Sequence, residues 1–211
     1  MPARRCPVIK LYGIPMSRAM RCLWMLEELG VPYESVPVHF LGEVQKPEYL
    51  ALNPNGHIPT LDDDGLVLWE SMAINLHLAR TYGAAGGLWP AASADQSRTV
   101  MWSFWAVTEV EGPALKVLMH RVFLPEAQRK AELAEEGERE LQKPLRVLDG
   151  SLAKTPYLLG DAFTAADLNV HSILAWATTW GRTDVSAYPN AKAWLERCGA
   201  RPALARAAAR R

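Results

Sequence analysis

Two serines stand where an anion site is simplest to build. Ser17 follows a short apolar run, residues 8–12, and opens a helical pattern. Ser71 follows a second apolar run, residues 66–69, and also opens a helical pattern. A helix start has free N–H groups and the positive end of the peptide dipole, so it favours negative charge. A serine hydroxyl at that point either adds one more donor or caps the helix. Glu70, directly before Ser71, supplies a carboxylate that can approach an ammonium group. Thiol chemistry is less well provided for. Cys6, Cys22 and Cys198 make no CxxC pair and no metal-ligand cluster. An odd, widely spaced set fits a reducing compartment better than a disulfide framework.

The elements that position these residues can be read from the pattern. Residues 8–12 form a short strand, and Gly13, Pro15 and Ser17 lead into a helix over residues 17–29 that Gly30 stops. Residues 33–39 have strand character, but Pro37 cannot donate to a ladder, which places this strand at a sheet edge. Residues 59–61 and 66–69 flank an Asp-Gly turn at Asp64 and Gly65, a hairpin signal. A strand–helix–strand unit with an appended hairpin and a helix from Ser71 predicts a mixed four-stranded sheet with flanking helices. Residues 81–94 are uncharged and rich in Gly and Ala, and read as a linker. Beyond it the chain reads as all helix. Ser93 with Gln96 and Thr164 with Asp167 both look like capping boxes. Gly112-Pro113 is expected to interrupt the first helix there, and Pro125 to begin another. Gly137 sits in an apolar stripe with Leu141, Leu145 and Leu148, where it would admit a second helix closely. The segment 168–181 is nearly uncharged, as a central buried helix would be. The Ala/Arg-rich end, residues 203–211, is the one biased stretch.

Composition narrows the possibilities. The chain has 211 residues, about half of them apolar, enough for one large domain or two small ones. Twenty-three basic residues balance 23 acidic ones, which argues against a general nucleic-acid binder. No apolar run approaches the roughly 18 residues of a spanning helix. Residues 1–5 are basic but no apolar signal core follows, so no secretory leader is expected.

Four features together carry a resemblance to the cytosolic glutathione transferases, in their serine-position variant of bacterial type. They are Leu11-Tyr12-Gly13-Ile14-Pro15-Met16-Ser17 followed by Arg21; Asn53-Pro54-Asn55-Gly56-His57-Ile58-Pro59-Thr60-Leu61; Glu70-Ser71; and Thr164 with Asp167. The resemblance covers residues 8–205. It implies a thioredoxin-like α/β N-terminal domain (7–84), a linker (85–93) and an all-α C-terminal domain (94–206) that lines the electrophile site. It also implies glutathione as co-substrate, a small apolar electrophile as its partner, no metal, a cytoplasmic location and a homodimer.

Glutathione has two carboxylates, an ammonium and a thiol, and the quoted residues match those needs. Ser71 would hold the γ-glutamyl carboxylate and Glu70 the ammonium. The resemblance implies a cis bond at Ile58-Pro59, with the Ile58 backbone pairing with the cysteinyl backbone. His57 stands where relatives often have Lys, Arg or Gln, and either reaches the glycyl carboxylate or is a surface histidine. Asn53 and Asn55 read as turn residues. A Ser17 hydroxyl donating to sulfur, helped by the helix dipole, favours thiolate. Lowering a thiol pKa by about two units needs only ~2.7 kcal/mol. Tyr12 is the rival, since some branches use a tyrosine near the end of the first strand. Ser17 is preferred, because a tyrosine in a central strand is more often packed. Other branches use a cysteine one position later, where this chain has Arg18, which argues against disulfide chemistry through a protein thiol. Cys22 reads as a small packed residue and Arg21 as structural. The electrophile pocket is expected between the domains, with Met16 opposite Met101, Trp102, Trp105 and Thr108, of which Met16, Trp105 and Thr108 are the candidate lining. For Trp102 the helical spacing favours a place in the core.

The expected activity is transfer of glutathione to an electrophilic carbon. A glutathione-dependent peroxidase, dehalogenase or isomerase on the same site is the first alternative. Residues 14–19 do not match the serine- and cysteine-rich stretch of dedicated isomerases. A binding or interaction module without turnover is the second, and Ser17, Glu70 and Ser71 count against it.

Overall fold

The computed structural model describes residues 8–210; residues 1–5 and Cys6 lie outside the described residues. The chain forms two units, Met1–Gly86 together with Pro202–Arg211, and Gly87–Arg201.

The first unit runs β1 (Ile9–Tyr12), α1 (Ala19–Leu29), β2 (Tyr33–Val36), α2 (Pro47–Leu50), β3 (Thr60–Asp63), β4 (Leu66–Trp69) and α3 (Ser71–Tyr82). The strands form one mixed sheet in the order β2-β1-β3-β4. β1 is parallel to β2 and antiparallel to β3, and β3 is antiparallel to β4. β2 is an edge strand and stops just before Pro37, as a residue without an N–H requires. The hairpin turn has left-handed φ at both Asp64 and Gly65, the geometry that matches strand twist. Side chains of β1 alternate. Ile9 and Leu11 are buried with Leu23 and Leu26 of α1 and Ile74 and Leu78 of α3. Tyr12 points the other way, toward a second cluster of Val38, Val44, Tyr49 and Ile58. That cluster rests on α2, a short helix the sequence pattern does not announce.

The second unit contains α4 (Ser93–Trp105), α5 (Gly112–Leu118), α6 (Ala131–Ser151), α7 (Ala165–Ala175) and α8 (Pro189–Gly199). Gly112-Pro113 does not interrupt the first of these. A wide π-helical turn, Ala106–Glu111, joins α4 directly to α5. Such a turn absorbs the missing N–H and the ring clash of a helical proline. Pro125 precedes only a single short turn, Glu126–Gln128. The Ser93–Gln96 box does not form: the helix already begins at Ser93, and Gln96 Nε2 donates instead to the Pro90 carbonyl at 3.0 Å. The Thr164–Asp167 box does form in both directions. Asp167 is completely buried and also accepts the Leu158 N–H and the Trp194 indole N–H, each at 2.9 Å. Burial raises its pKa, and these donors offset part of that rise. Gly137 does admit another helix: a Cβ there would lie 2.7 Å from the Pro113 carbonyl oxygen. α7 is buried along almost its whole length.

After α8 the chain returns to the first unit as α9 (Pro202–Ala208), although the resemblance implies a second domain that extends to residue 206. The physical reason is Glu27 at the end of α1, only 8 % exposed. Its carboxylate accepts Arg206 Nε at 2.9 Å, Arg210 NH2 at 2.6 Å and the Tyr33 hydroxyl at 2.8 Å. Arg206 also donates to the Glu27 carbonyl at 2.8 Å. Burial alone would raise the Glu27 pKa, but the hydrogen bonds from Tyr33, Arg210 and Arg206 outweigh it and lower it. Among the described residues no helix is long and apolar enough to cross a membrane.

His171 of α7 is buried against the Trp194 ring at 5.8 Å, and burial lowers its pKa to about 4. The unfolded value is about 6.5. Above that pH both states are neutral. As pH falls below it, the unfolded chain takes up a proton that the folded chain refuses, so stability declines until the folded value is reached. The expected slope from this one group is a little over ~1 kcal/mol per pH unit. Urea denaturation of H171Q between those pH values should show a shallower loss than wild type; equal slopes would remove His171 as the cause.

Candidate active site

The sheet register assembles the site. Tyr12 pairs with Thr60 across β1 and β3, and Thr60 pairs with Trp69 across β3 and β4. The end of β1, the start of β3 and the end of β4 therefore lie at one end of the sheet. The loops that leave there carry Ser17, His57, Ile58, Pro59, Glu70 and Ser71. Gly13 makes the approach possible. A Cβ at Gly13 would lie 2.6 Å from Ala19 Cβ and 3.5 Å from Ile58 Cβ, and its φ of 145° disfavours any side chain. The residue pattern marks Gly13 only as the end of the first strand; the structure adds that its role is space.

Ser17 lies two residues before the first helical residue, Ala19, rather than inside the helix. Its hydroxyl accepts the Ala19 N–H at 3.0 Å and donates to the Ile14 carbonyl at 2.7 Å. The side chain thus closes the turn that starts α1. A rotation about the Cβ–Oγ bond would redirect its proton toward a thiolate.

Ser71 is only 4 % exposed, and its hydroxyl accepts Arg21 NH1 at 3.2 Å. Cys22 donates its thiol to the Ser71 carbonyl at 3.6 Å, and Asn75 Nδ2 donates to the Arg21 carbonyl at 3.3 Å. These contacts pin the start of α1 to the start of α3. They also give Arg21 its partner and Cys22 its packing. Burial pushes the Cys22 thiol far above its usual range, so it is no nucleophile. Glu70 is exposed, with φ 72° and ψ 111°, a strained backbone conformation for a residue with a side chain. The strain falls at the corner where β4 turns into α3.

Ile58-Pro59 is a cis peptide bond. The loop before it is held from below. Tyr49 donates its hydroxyl to the His57 carbonyl at 2.7 Å, and Asn53 Nδ2 donates to the same carbonyl at 2.7 Å. Thr60 Oγ1 joins both, at 2.8 Å from the Tyr49 hydroxyl and 3.2 Å from Asn53 Nδ2. Asn53 Oδ1 accepts the Asn55 N–H at 3.1 Å, so both asparagines are turn residues. His57 itself is exposed. Tyr49 and Thr60 were not evident as supporting residues; the only hint is a tyrosine just after Pro47 and eight residues before His57.

Tyr12 is half-buried. Its ring meets Tyr49 edge-on at 6.4 Å and packs on the Val38–Ile58 cluster. Met16 is 75 % exposed in the loop beside Ser17. In the second unit Trp105 is half-buried, edge-on to the buried Trp102 at 5.0 Å, while Thr108 lies exposed on the π-helical turn. Among the described residues no group of His, Cys, Asp and Glu could hold a metal ion.

A thioredoxin-like sheet whose end gathers two serine-bearing helix starts and a cis-proline loop, with a separate helical unit, defines a class of glutathione-binding protein. Residues 7–80 match the glutathione S-transferase N-terminal domain family, and residues 108–202 match the C-terminal domain family. Glutathione S-transferase 3 of Zea mays is 38 % identical over 210 residues, covering 93 % of this chain and 91 % of the relative. A solved theta class glutathione S-transferase from Xanthomonas axonopodis pv. citri, with glutathione bound, is 33 % identical with a TM-score of 0.85, over 97 % of this chain and 99 % of that one. Glutathione S-transferase-I bound with lactoylglutathione is 31 % identical with a TM-score of 0.86, over 96 % and 99 %. The chain belongs to the glutathione S-transferase family.

The Tyr49 hydroxyl is the keystone of the 53–60 loop. Y49F should cost about 1–2 kcal/mol in urea denaturation, because it leaves the His57 carbonyl and Thr60 short of a buried partner. It should also raise the KM for glutathione by roughly threefold or more. An unchanged KM would mean that the loop keeps its shape without Tyr49.

Proposed function

We propose that this glutathione transferase holds its co-substrate on the first unit, at the sheet end just described, with Ser17 as the thiolate stabiliser. The supporting observation is the Ser17 hydroxyl, fixed by its bond from the Ala19 N–H at the start of α1. That bond leaves the hydroxyl proton as the mobile part. When the proton swings from the Ile14 carbonyl to a sulfur, it stabilises negative charge without moving the backbone. Tyr12 is less suited, because its ring is engaged with Tyr49 and the apolar cluster.

In this reading the rest of the site divides by charge. Ser71, at the N-terminus of the twelve-residue α3, offers its backbone N–H and the helix dipole to the γ-glutamyl carboxylate. Arg21 occupies the Ser71 hydroxyl and brings positive charge to the same corner. Exposed Glu70 faces the ammonium. The Ile58 backbone pairs with the cysteinyl backbone, and His57 reaches the glycyl carboxylate. Bound glutathione supplies the nucleophilic sulfur, which adds to or displaces at an electrophilic carbon. The electrophile is a small apolar molecule, with Met16, Trp105 and Thr108 as its proposed contacts. A reducing compartment, the cytoplasm, suits the buried Cys22 and Cys198, neither of which is in a disulfide. The family relationship supports a homodimer, and sedimentation velocity should give twice the chain mass of 23.4 kDa; a monomer at micromolar concentration would end that part of the reading.

Turnover of aryl halides, epoxides, enones and hydroperoxides with glutathione would define the electrophile. For the site itself, S17A should raise the bound-thiol pKa, read by ultraviolet titration, toward the free value of roughly 8.5. It should lower kcat/KM at neutral pH by about tenfold or more. Y12F should leave that pKa in place. The reverse pattern would transfer the role to Tyr12.

A further inference from the structure

We infer that Glu27, with Arg206 and Arg210, is a positioning device for the reaction: the end of the chain clamps the far end of the helix whose start carries the site. The inference rests on the reading of Ser17 as thiolate stabiliser. α1 is eleven residues long, so its two ends stand about 15 Å apart. Its start is tied to α3 through the Arg21–Ser71 and Cys22–Ser71 bonds. Its end is tied to α9 through Glu27.

The clamp is built from several hydrogen bonds on one residue. Glu27 is almost buried, whereas Arg206 and Arg210 are about half exposed. Arg206 forks, with Nε on the carboxylate and NH2 on the Glu27 backbone carbonyl, the latter at 2.8 Å. That second bond seizes a carbonyl in the last turn of α1, which has no partner within the helix. Arg210 places Nε and NH2 on Glu27 Oε1, and its guanidinium covers the Tyr33 ring at 5.0 Å. Tyr33 opens β2, which pairs with β1, so the clamp grips helix, strand and chain end together.

A rigid helix fixed at one end can still swing at the other. With both ends held, the turn at residues 17–19 has one position relative to the 58–59 loop and the start of α3. Without the clamp, α1 can tilt, and tilt at its start changes the distance between Ser17 and a sulfur bound elsewhere on the site. The Ala/Arg-rich end of the chain then has a task, because its small residues let α9 lie close to α1 and its arginines reach over to Glu27.

The test is the double variant R206A/R210A in the full chain, with S17A measured in parallel. Readouts are the pKa of bound glutathione thiol, kcat and KM separately, and thermal stability, all taken well below the melting range. The expected result is a rise of roughly half a pH unit in the thiol pKa, with kcat about threefold lower and KM for glutathione nearly unchanged. R206K/R210K keeps the charge without the fork and should restore only part of the shift. A lower melting temperature with unaltered thiol pKa and kcat would overturn the inference and leave the clamp as structural support alone. If the double variant does not fold, R210A removes fewer bonds and is judged by the same criteria. A shift in the arginine variant beside an unshifted S17A keeps the clamp and discards Ser17. The opposite pattern keeps Ser17 and discards the clamp, and no shift in either discards both.

Discussion

Tyr12, Thr60 and Trp69 stand side by side in three neighbouring strands, and this row of backbone pairing decides where the candidate residues of the first unit fall. Each strand contributes only four residues, so a slip of one position would send Ile9, Leu11 and Leu61 to the opposite face of the sheet. The core against α1 and α3 holds the register, and the register holds the site. The loops that leave the row then have little freedom. Gly13 lets the first pass close to Ala19, Tyr49 and Asn53 pin the second, and the corner at Glu70 starts α3 at once.

The polar groups follow a division of labour set by burial. The deepest ones serve the scaffold: Arg21 with Ser71, Tyr49 with His57 and Thr60, Asp167 with its capping partners. The groups left with mobile protons or solvent contact, Ser17, His57 and Glu70, are the ones proposed to meet the ligand. This ordering makes physical sense. Losing a buried partner costs about 1–3 kcal/mol, which keeps Ser71, Tyr49 and Asp167 on scaffold duty and leaves the chemistry at the rim. Ser17 shows the boundary, since its acceptor is used by the fold while its proton remains redirectable.

Much of this was legible in the residues. The edge position of β2 followed from Pro37, the hairpin from Asp64-Gly65, the capping box from Thr164 and Asp167, and the close helix contact from Gly137, because each of these acts through local backbone chemistry. Other expectations failed once the backbone took its actual course. Gly112-Pro113 did not break its helix, because a π-helical turn absorbed the proline. The Ser93–Gln96 box dissolved, because the helix began one residue earlier than the pattern suggests. α9 left the helical unit, because Arg206 and Arg210 found Glu27, 179 and 183 positions away in the chain.

The amino-acid sequence by itself determined the alternation of elements, the family and the identity of the chemical groups, since these depend on residue type and short spacing. Tertiary structure alone decided how those groups are used. It turned Arg21 toward Ser71, withdrew Tyr12 into a packed cluster, placed Ser17 outside α1 with its hydroxyl already bridging two backbone groups, and returned the end of the chain to Glu27. Each of these outcomes depends on which partner lies within about 3 Å, and a pattern of residues along a chain has no such distances in it.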